Sequence, residues 1–361
     1  MEKKRVVVGM SGGVDSSLTA VLLKEQGYDV IGITMRLADE SRDFEENDRG
    51  CCSLSAVADA RRVCEIIGIP HYVMDFKELF REKVIDDFLA NYAKGWTPNP
   101  CIACNRYVKF EGLLTRAMEL GASYVATGHY ARIEQDAAGR WLLKKGLDEK
   151  KDQAYALYHL NQHSLAHFLM PLGVYTKVET RAMAERLGLP VARKPDSQEI
   201  CFVPRDDYKA YLKEKNPACL QPGDIVDLSG HVLGHHAGVP LYTIGQRKGL
   251  GIAAAHPLYV VRLDTAHRQV VVGSAGDVFA SGLIAGDMNW IAIDNLQEPL
   301  HVMAKIRYGK KEGAACISPL AEGRVRVDFV EPQRAVTPGQ SVVFYDGDTV
   351  VGGGIIEQPL H

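Results

Sequence analysis

Hydrophobic and polar positions in the first 130 residues alternate between two periods. Short, nearly continuous apolar runs predict strands buried on both faces of a sheet, at 6–10, 30–35, 71–76 and 124–127. Between these runs, apolar residues recur every three or four positions and predict helices at 16–25, 54–67 and 109–120. Strands that alternate with helices are typical of an α/β fold with a doubly wound parallel sheet.

The pattern changes near residue 200, after which helical periodicity fades. Short strand candidates separated by Gly, Pro and Asp turns follow, at 232–234, 258–263, 269–272, 302–306, 324–329 and 341–345. Such spacing is typical of small β-barrels or sandwiches. A break at 280–286 between two groups of strands suggests three domains, 1–205, 206–280 and 281–361. We therefore predict an N-terminal α/β domain followed by two smaller β-rich domains.

The first predicted strand runs into a glycine-containing loop, Ser11-Gly12-Gly13-Val14-Asp15-Ser16, where the first predicted helix begins. Unpaired backbone N–H groups and the positive end of the helix dipole meet at such a junction, and glycine lets an anion approach the backbone closely. The loop therefore predicts a phosphate site. It has neither the Gly-Lys-Ser/Thr ending of a Walker A loop nor the G-x-G-x-x-G pattern of a Rossmann fold. The alternative is a Gly-Ser turn that caps a helix, with Asp15 stabilising its first turn.

Composition and charge narrow the class of protein. The 361 residues are 46% hydrophobic and 24% charged, with no apolar run near the roughly 18 residues that a membrane helix needs. The N-terminal residues lead directly into a predicted strand, so we expect a cytoplasmic protein that does not contact a membrane. The formal net charge of −3 excludes a uniformly basic nucleic-acid binder but leaves room for a local basic patch. In this setting we expect the eight cysteines to be catalytic, metal-binding or buried, and not joined in structural disulfides.

The loop and two cysteine segments together point to one family. Cys104 lies in the segment TPNPCIACN (97–105), and Cys201 lies in DSQEICF (196–202). The loop resembles the pyrophosphate-binding loop of N-type ATP pyrophosphatases, and with both segments the chain closely resembles the tRNA-specific 2-thiouridylases. The likeness continues through TGHY (127–130), Asp152-Gln153, TIGQRKG (243–249) and PGQ (338–340), and so covers nearly the whole chain in order.

The resemblance implies a PP-loop catalytic domain with an adenine nucleotide alpha hydrolase-like sheet, in an enzyme that replaces the C2 oxygen of the wobble uridine of tRNA with sulfur. ATP would activate that oxygen as an adenylate and release pyrophosphate into the loop; a sulfur nucleophile would then displace AMP. By resemblance, Cys201 receives sulfur as a persulfide from a sulfur-donor protein or relay. Cys104 then releases it, leaving a disulfide with Cys201. A monomer acting on the tRNAs for Glu, Gln and Lys is also expected.

The ATP-binding residues implied by the resemblance are Gly9, Met10, Ser11, Gly12, Gly13, Val14, Asp15, Ser16, Met35 and Gly128. The loop N–H groups and the hydroxyls of Ser11, Ser16 and Ser17 are expected to cradle the polyphosphate. Asp15 either helps to hold Mg²⁺ or orients the loop. Met35 is either a nucleotide contact or part of the core.

The tRNA contacts implied by the resemblance are Asn99, Pro100, Cys101, Lys151, Asp152, Gln153 and Gln340. To these we add His129, which follows Gly128 at the same edge of the predicted sheet, and the pair Arg307 and Tyr308. Residues 301–334 contain seven Lys or Arg against four acids, which suits a face that follows phosphates but equally an ordinary charged surface. Arg307 beside Tyr308 places a cation next to an aromatic ring, which suits a phosphate and a base. For His129 the alternative is a hydrogen-bonded structural histidine.

Cys101 departs from the commonest pattern of the family, which has an aspartate three residues before the first cysteine. Cys101, Cys104 and Cys201 together resemble the family variant thought to hold a [4Fe-4S] cluster, and the alternative is that Cys101 is a spectator. A zinc site would need a fourth ligand, such as Cys51 or Cys52. A helix N-terminus near Cys104 is expected to lower the pKa of its thiol. The remaining cysteines are expected to be packing or surface residues: Cys64, Cys219 and Cys316.

Two functions of other classes share parts of the pattern. An amidating PP-loop ligase acting on a small molecule would share the loop but would not need Cys104 and Cys201, and nothing in the sequence resembles a glutaminase. A non-catalytic RNA-binding module would account for the β-rich half, but not for a nucleotide loop together with two placed thiols.

Overall fold

The computed structural model describes residues 3–38, 53–196 and 200–361. Cys51, Cys52 and the Ser197-Gln198-Glu199 part of the second cysteine segment lie outside the described residues. The chain forms two compact units. Residues 1–85, 100–207 and 348–350 make the first unit, and residues 86–99, 208–347 and 351–361 make the second. Within the described ranges, no helix is long and apolar enough to cross a membrane.

Strands and helices are numbered along the chain. The strands are β1 (Arg5–Gly9), β2 (Asp29–Arg36), β3 (His71–Asp75), β4 (Tyr124–Ala126), β5 (Ala131–Gln135), β6 (Trp141–Lys145), β7 (Phe168–Leu169), β8 (Gly223–Val226), β9 (Val232–His236), β10 (Tyr259–Asp264), β11 (Gln269–Gly273), β12 (Phe279–Trp290), β13 (Leu300–Lys305), β14 (Gly313–Pro319), β15 (Val325–Arg334), β16 (Ser341–Asp346) and β17 (Thr349–Leu360). The helices are α1 (Val14–Glu25), α2 (Leu54–Ile67), α3 (Lys77–Phe80), α4 (Asp86–Ala93), α5 (Pro100–Ala103), α6 (Leu113–Glu119), α7 (Gln162–His167), α8 (Lys177–Arg186) and α9 (Tyr208–Lys215). Among the described residues, Arg81–Ile85 and Cys104–Gly112 are π-helical.

The sheet of the first unit has the strand order β3-β2-β1-β4-β7, and neighbouring strands are parallel throughout. Val6, Val7 and Val8 are fully buried in the central strand β1, as expected for a strand covered on both faces. The chain builds outward from β1 to β2 on one side and from β1 to β4 on the other. The carboxyl ends of β1 and β4 therefore flank a topological switch point, where open α/β sheets bind ligands. The predicted doubly wound parallel sheet is confirmed.

Helices α1 and α2 pack on this sheet through small and β-branched side chains. The buried cluster between them includes Val14, Ala20, Ala60 and Val63. Cys64, also on α2, is 1% exposed in the same cluster, and burial raises the pKa of its thiol to about 12. This cysteine is therefore a packing residue, because a thiol with so high a pKa is an inert nucleophile.

The antiparallel hairpin β5–β6 in the first unit was not predicted. Most of its residues are only partly buried, so the hydrophobic alternation is weak. Polar contacts define it instead. Arg132 donates to Lys145 O at 2.9 Å and pairs with Glu134 and Asp348, while Thr349 lies opposite Lys144 in the ladder.

The second unit contains two antiparallel-rich β structures. One is a four-stranded sheet in the order β10-β11-β8-β9. The other is a six-stranded barrel in the order β12-β15-β14-β13-β16-β17, which closes because β12 also pairs with β17. Leu283, Ile317, Val327, Phe344 and Ile356 fill the barrel core. The predicted β-rich second half is confirmed.

Residues 280–286, where the sequence suggested a break between two groups of strands, lie inside the twelve-residue strand β12. Its glycines suggested an interruption. In the structure, a Cβ on Gly282 would lie 2.5 Å from Val327 O, so glycine is present because two backbones approach closely. The ladder between β12 and β15 also shifts register between Ala280 and Gly282.

Candidate active site

The predicted phosphate loop joins β1 to α1 at the switch point. The Ser17 hydroxyl donates to Gly13 O at 2.8 Å, and the Ser16 hydroxyl reaches the same oxygen at 3.2 Å. Ser11 N–H donates to Ser16 Oγ at 3.2 Å. Ser16 and Ser17 are buried, so their hydroxyls hold the loop in shape, whereas Ser11 is exposed at the edge of the loop.

The two predicted methionine contacts occupy the ends of neighbouring strands. Met10 is 2% exposed and donates its N–H to Ile33 O at 2.8 Å, while its own carbonyl accepts from Thr34 Oγ1 at 2.8 Å. Met35 is half-buried near the end of β2, opposite Met74. The Met10 side chain is therefore part of the core, and Met35 retains exposed surface at the carboxyl edge of the sheet.

Two glycines of the predicted ATP site allow contacts that no other residue permits. Gly12 has φ +65°, and a Cβ there would lie 2.2 Å from Ala56 O on α2. Gly128 follows β4, and a Cβ there would lie 2.8 Å from the backbone of Asp15 and Ser16. The TGHY segment therefore lies directly against the first turn of α1. The structure brings these two motifs together at the switch point, as their positions after β1 and β4 require.

The Asp15 carboxylate is bound by two side chains that were not singled out from the sequence. Its Oδ1 accepts from Tyr130 Oη at 2.8 Å, and its two oxygens accept from Lys177 Nζ at 2.8 and 2.7 Å. Burial and the nearby Asp15 charge raise the pKa of Tyr130, so the phenol stays a donor. The sequence allowed two roles for Asp15, binding of Mg²⁺ or orientation of the loop. These contacts correspond to orientation of the loop.

Lys177 also reaches the second cysteine segment. Its Nζ lies 2.8 Å from Asp196 Oδ1, and Arg181 and Lys151 bind the same carboxylate at 3.0 and 2.7 Å. Burial disfavours the ionised form of Asp196, but the hydrogen bonds from Lys151 and Lys177 outweigh it and lower the pKa to about 2. Asp196 is therefore a carboxylate at any physiological pH.

Lys194 is a second cation at the loop that sequence reasoning missed. Its Nζ donates to Gly12 O at 3.1 Å and pairs with Asp59 on α2 at 2.6 Å. Neither Lys194 nor Lys177 stands in a local motif that identifies it, since each reaches the loop from more than 160 positions away in the chain.

The two catalytic candidates lie in segments that pack on the same short helix. Cys104 is 7% exposed and begins the π-helical stretch Cys104–Gly112. A Cβ on Gly112 would lie 2.8 Å from Leu79 of α3, so this stretch lies against that helix. Phe202, the residue after Cys201, packs edge to face on Phe80 of α3 with ring centroids 5.7 Å apart.

The helix that carries the first cysteine segment begins earlier than expected. It starts at Pro100, so Cys101 lies in the first turn and Cys104 one turn further on. Proline is favoured at the first helical position, which explains the earlier start. Cys101 is exposed, Cys104 buried and Cys201 intermediate. Among the residues that the structure describes, no three His, Cys, Asp or Glu side chains are grouped so that they could hold a metal ion.

The predicted tRNA contacts of the first unit mostly bind the protein itself. His129 is 9% exposed and its Nδ1 lies 2.8 Å from Thr127 Oγ1, and burial lowers its pKa to about 3, which is the geometry of the structural alternative. Asp152 Oδ1 accepts two backbone N–H groups, and Gln153 Oε1 accepts from Tyr130 N. Lys151 retains exposed surface beside Asp196.

In the second unit, Gln340 contacts the segment that precedes the first cysteine. Its amide donates to Thr97 O at 2.8 Å and lies 3.4 Å from Pro98 O, and Thr97 N donates to Pro338 O at 2.9 Å. Gln340 is buried, so the PGQ motif fixes the backbone just before Asn99. Two motifs that are more than 230 residues apart in the sequence are therefore in contact.

The basic stretch of the second unit is partly neutralised. Arg326 pairs with Asp328 at 2.8 Å and Arg324 with Glu322 at 3.2 Å. Tyr308 is 45% exposed, and the cation over its ring is Lys305 at 5.8 Å, while Arg307 reaches Thr337 Oγ1 at 3.4 Å.

Comparison with known proteins identifies the family. A family model described as the tRNA methyl transferase HUP domain matches residues 4–205, more than half of the chain. Models described as the tRNA methyl transferase PRC-barrel domain and the aminomethyltransferase beta-barrel domain match residues 209–274 and 280–356. The tRNA-specific 2-thiouridylase MnmA 1 of Caldanaerobacter subterraneus subsp. tengcongensis is 56% identical over 359 residues, 99% of each chain. The chain belongs to the tRNA-specific 2-thiouridylase family.

Another member of the tRNA-specific 2-thiouridylase family, MnmA 1 of Thermoanaerobacter sp., is 57% identical over 362 residues, which cover 100% of both chains. Among solved structures, an NMN synthetase from Francisella tularensis is 16% identical, covering 58% of this chain and 72% of that chain with a TM-score of 0.35. Membership of this enzyme family confirms the resemblance drawn from the loop and the cysteine segments. The roles of individual residues stay predictions.

Proposed function

We propose that this enzyme uses ATP to convert the wobble uridine of tRNA into 2-thiouridine. The observation that carries the proposal is that relatives named tRNA-specific 2-thiouridylases match the chain from end to end at 56% and 57% identity. The geometry supports it, because a glycine loop at a helix N-terminus lies at the switch point of a parallel sheet, where phosphates are bound in folds of this class.

The first step activates an oxygen that is otherwise a poor leaving group. The uridine C2 oxygen attacks the α-phosphorus of ATP, which forms an O–P bond, breaks the bond to the β-phosphate and releases pyrophosphate. The residues proposed to bind ATP lie at or after the carboxyl ends of β1, β2 and β4. The backbone of the loop would hold the departing pyrophosphate, and Lys194, whose Nζ lies at Gly12 O, would offset its charge.

Magnesium is expected to arrive with ATP. Both oxygens of Asp15 accept hydrogen bonds from Lys177 and Tyr130, so this carboxylate does not fit the role of a direct Mg²⁺ ligand in the arrangement described. We therefore propose that Asp15 orients the loop and that the phosphates of ATP bind the Mg²⁺ ion.

Sulfur transfer is proposed to use Cys201 and Cys104 in turn. A sulfur-donor protein or relay supplies Cys201 with a persulfide, whose terminal sulfur attacks C2 and displaces AMP. The Cys104 thiolate then attacks Cys201 Sγ, breaking the persulfide S–S bond. The electron pair of that bond stays on the transferred sulfur, giving 2-thiouridine and a Cys104–Cys201 disulfide. An external thiol reductant must restore both thiolates before the next turnover.

The alternative sulfur source is a [4Fe-4S] cluster on Cys101, Cys104 and Cys201. The described residues do not present three such ligands as a group, so they do not fit a cluster, and we derive no step through one. The proposal also includes a cytoplasmic, monomeric enzyme that acts on the tRNAs for Glu, Gln and Lys, and the domain division 1–205, 206–280 and 281–361. The family models that match the three parts of the chain in this order support the division.

The test is an assay of purified protein with ATP, an unmodified tRNA transcript and a persulfide donor. Cys201→Ser is expected to abolish thiolated tRNA and keep tRNA-dependent pyrophosphate release. Cys104→Ser is expected to accumulate a reductant-sensitive adduct of tRNA with Cys201. Cys316→Ser, on β14 of the second unit, is the matched control and should thiolate normally.

Other outcomes would favour the alternatives. Pyrophosphate release that does not depend on tRNA would favour a small-molecule ligase, and tRNA binding without any pyrophosphate release would favour a non-catalytic module. About four irons per chain after anaerobic purification, lost in Cys101→Ala, would favour the cluster.

A further inference from the structure

Lys177 occupies a position that a lysine should avoid. Thr176 and Glu179 form a capping box, which makes Lys177 the first residue of α8. A cation in the first turn of a helix is opposed by the helix dipole. The Lys177 side chain is also only 10% exposed, so its ammonium group has lost most of its water. Such a lysine is retained only where nearby anions compensate both costs.

Two carboxylates provide that compensation, and they belong to two different motifs. Lys177 Nζ lies 2.7 Å from Asp15 Oδ2, in the phosphate loop, and 2.8 Å from Asp196 Oδ1, at the start of the second cysteine segment. Asp196 precedes Cys201 by five positions in the sequence. One ammonium group therefore joins the ATP motif to the segment that carries the proposed persulfide.

Each carboxylate has a second anchor of its own. Tyr130 donates to Asp15 at 2.8 Å, while Lys151 and Arg181 bind Asp196 at 2.7 and 3.0 Å. Loss of Lys177 therefore leaves both ends locally held and removes the bridge between them. Lys194, two residues before Asp196, also reaches the loop through Gly12 O, and the Lys177 bridge is the direct link between Asp15 and Asp196.

We propose that Lys177 is a positioning residue that couples adenylation to sulfur transfer, by fixing the phosphate loop relative to the cysteine segment that begins at Asp196. The inference rests on the proposed function. When the bridge is intact, the adenylate forms within reach of the sulfur nucleophile. When it is absent, water attacks the adenylate at phosphorus and the bond between the C2 oxygen and phosphorus breaks. Uridine and AMP are then returned after pyrophosphate has already left, so ATP is consumed without thiolation.

The decisive measurement is the ratio of pyrophosphate released to 2-thiouridine formed. We expect a ratio near one for the unmodified enzyme and a ratio on the order of tenfold higher for Lys177→Met, as for other small misplacements of reacting groups. Lys177→Arg, which can bridge two carboxylates, should restore most of the coupling. Asp196→Asn should also raise the ratio, which provides a second route if Lys177→Met folds poorly. Arg193→Met is the matched control, because that side chain is 89% exposed.

The results distinguish failure of the proposed function from failure of the role inferred for Lys177. If the unmodified enzyme forms no 2-thiouridine, the proposed function fails. If it does, and Lys177→Met lowers pyrophosphate release and thiolation by the same factor with an unchanged ratio, then Lys177 only stabilises the fold and the inference is overturned. The same conclusion follows if Lys177→Arg uncouples the steps as severely as Lys177→Met does.

Discussion

Replacement of Gly12 by alanine tests whether the phosphate loop requires a glycine at this position, for its positive φ and for its close approach to α2. Gly12 has φ +65° and its missing Cβ would lie 2.2 Å from Ala56 O, 2.8 Å from Ala56 C and 2.9 Å from Ala56 Cα. These are backbone atoms of α2, so no rotamer change relieves the overlap. Ordinary van der Waals contact begins at 3.4 Å, and either the loop or the helix must therefore move by about 1 Å.

The expected cost has two parts. A non-glycine residue in the left-handed region loses about 1 kcal/mol, and an additional atom forced into a packed contact costs about 1–3 kcal/mol. Gly12→Ala should therefore lower the free energy of unfolding by about 2–4 kcal/mol. A loop displaced by about 1 Å also carries its N–H groups away from the phosphates, so kcat/KM for ATP in pyrophosphate release should fall on the order of 100-fold.

Two other glycines serve as controls within the same unit. Gly188 has the same φ of +65°, but a Cβ there has nothing within 4 Å, so Gly188→Ala measures the conformational cost alone, about 1 kcal/mol. Gly13 is the N-cap of α1 without a positive φ, and its Cβ would meet only Ser11 Oγ at 3.4 Å, so Gly13→Ala should cost only the preference for glycine over alanine at an N-cap, about 0.5–1 kcal/mol. Urea unfolding and the dependence of pyrophosphate release on ATP concentration are measured for all three. If Gly12→Ala is no more destabilised than Gly188→Ala, the close approach of loop and α2 does not exist and the reasoning is refuted.

Two further predictions concern buried polar groups. Gln340→Leu removes the donor to Thr97 O and should lower the free energy of unfolding, measured in urea, by about 1–3 kcal/mol. It should also raise the KM for tRNA in thiolation kinetics. An unchanged KM would show that the backbone before Asn99 does not depend on this contact. His159 is buried with neither ring nitrogen hydrogen-bonded within the described structure, and burial lowers its pKa to about 3 from 6.5. As the pH falls, the unfolded chain therefore binds the proton before the folded protein does. The free energy of unfolding should fall as the pH drops from 6.5 toward 3, by up to about 1.4 kcal/mol per pH unit for this group. When unfolding is measured at pH 7 and pH 5, the loss should be smaller in His159→Phe.

The hydrophobic pattern predicted the elements whose burial is one-sided or complete. The valines of β1 form a continuous apolar run because both faces of the strand are covered, and α2 shows a regular helical period because only one face packs on the sheet. The pattern failed where polar contacts or glycines define a strand. The hairpin β5–β6 depends on Arg132 and its partners, and β12 carries glycines where neighbouring backbones meet.

The candidate site was predictable only as far as chemistry is local in the sequence. The phosphate loop is a single contiguous segment between one strand and one helix, so its amino-acid sequence directly indicates its structure. The groups that hold it are not local: Tyr130, Lys177 and Lys194 reach the loop from distant parts of the chain, and an ion pair between distant residues leaves no periodic trace. The contact of Gln340 with Thr97 is of the same kind.

The residues at which local rules fail nevertheless mark the site. A cation opposes the helix dipole at Lys177, glycine alone fits the backbone at Gly12, and the helix that contains Cys104 departs from α-helical geometry into a π-helical stretch, a feature that is frequent at functional sites. Each departure has a cost that the surrounding structure must offset, and each lies at the phosphate loop or at one of the cysteine segments. Conflict between local preference and observed structure is expected where function constrains a chain. In a sequence without a structure, a lysine that directly follows the N-cap of a capping box is therefore worth testing as a residue held in place by distant anions.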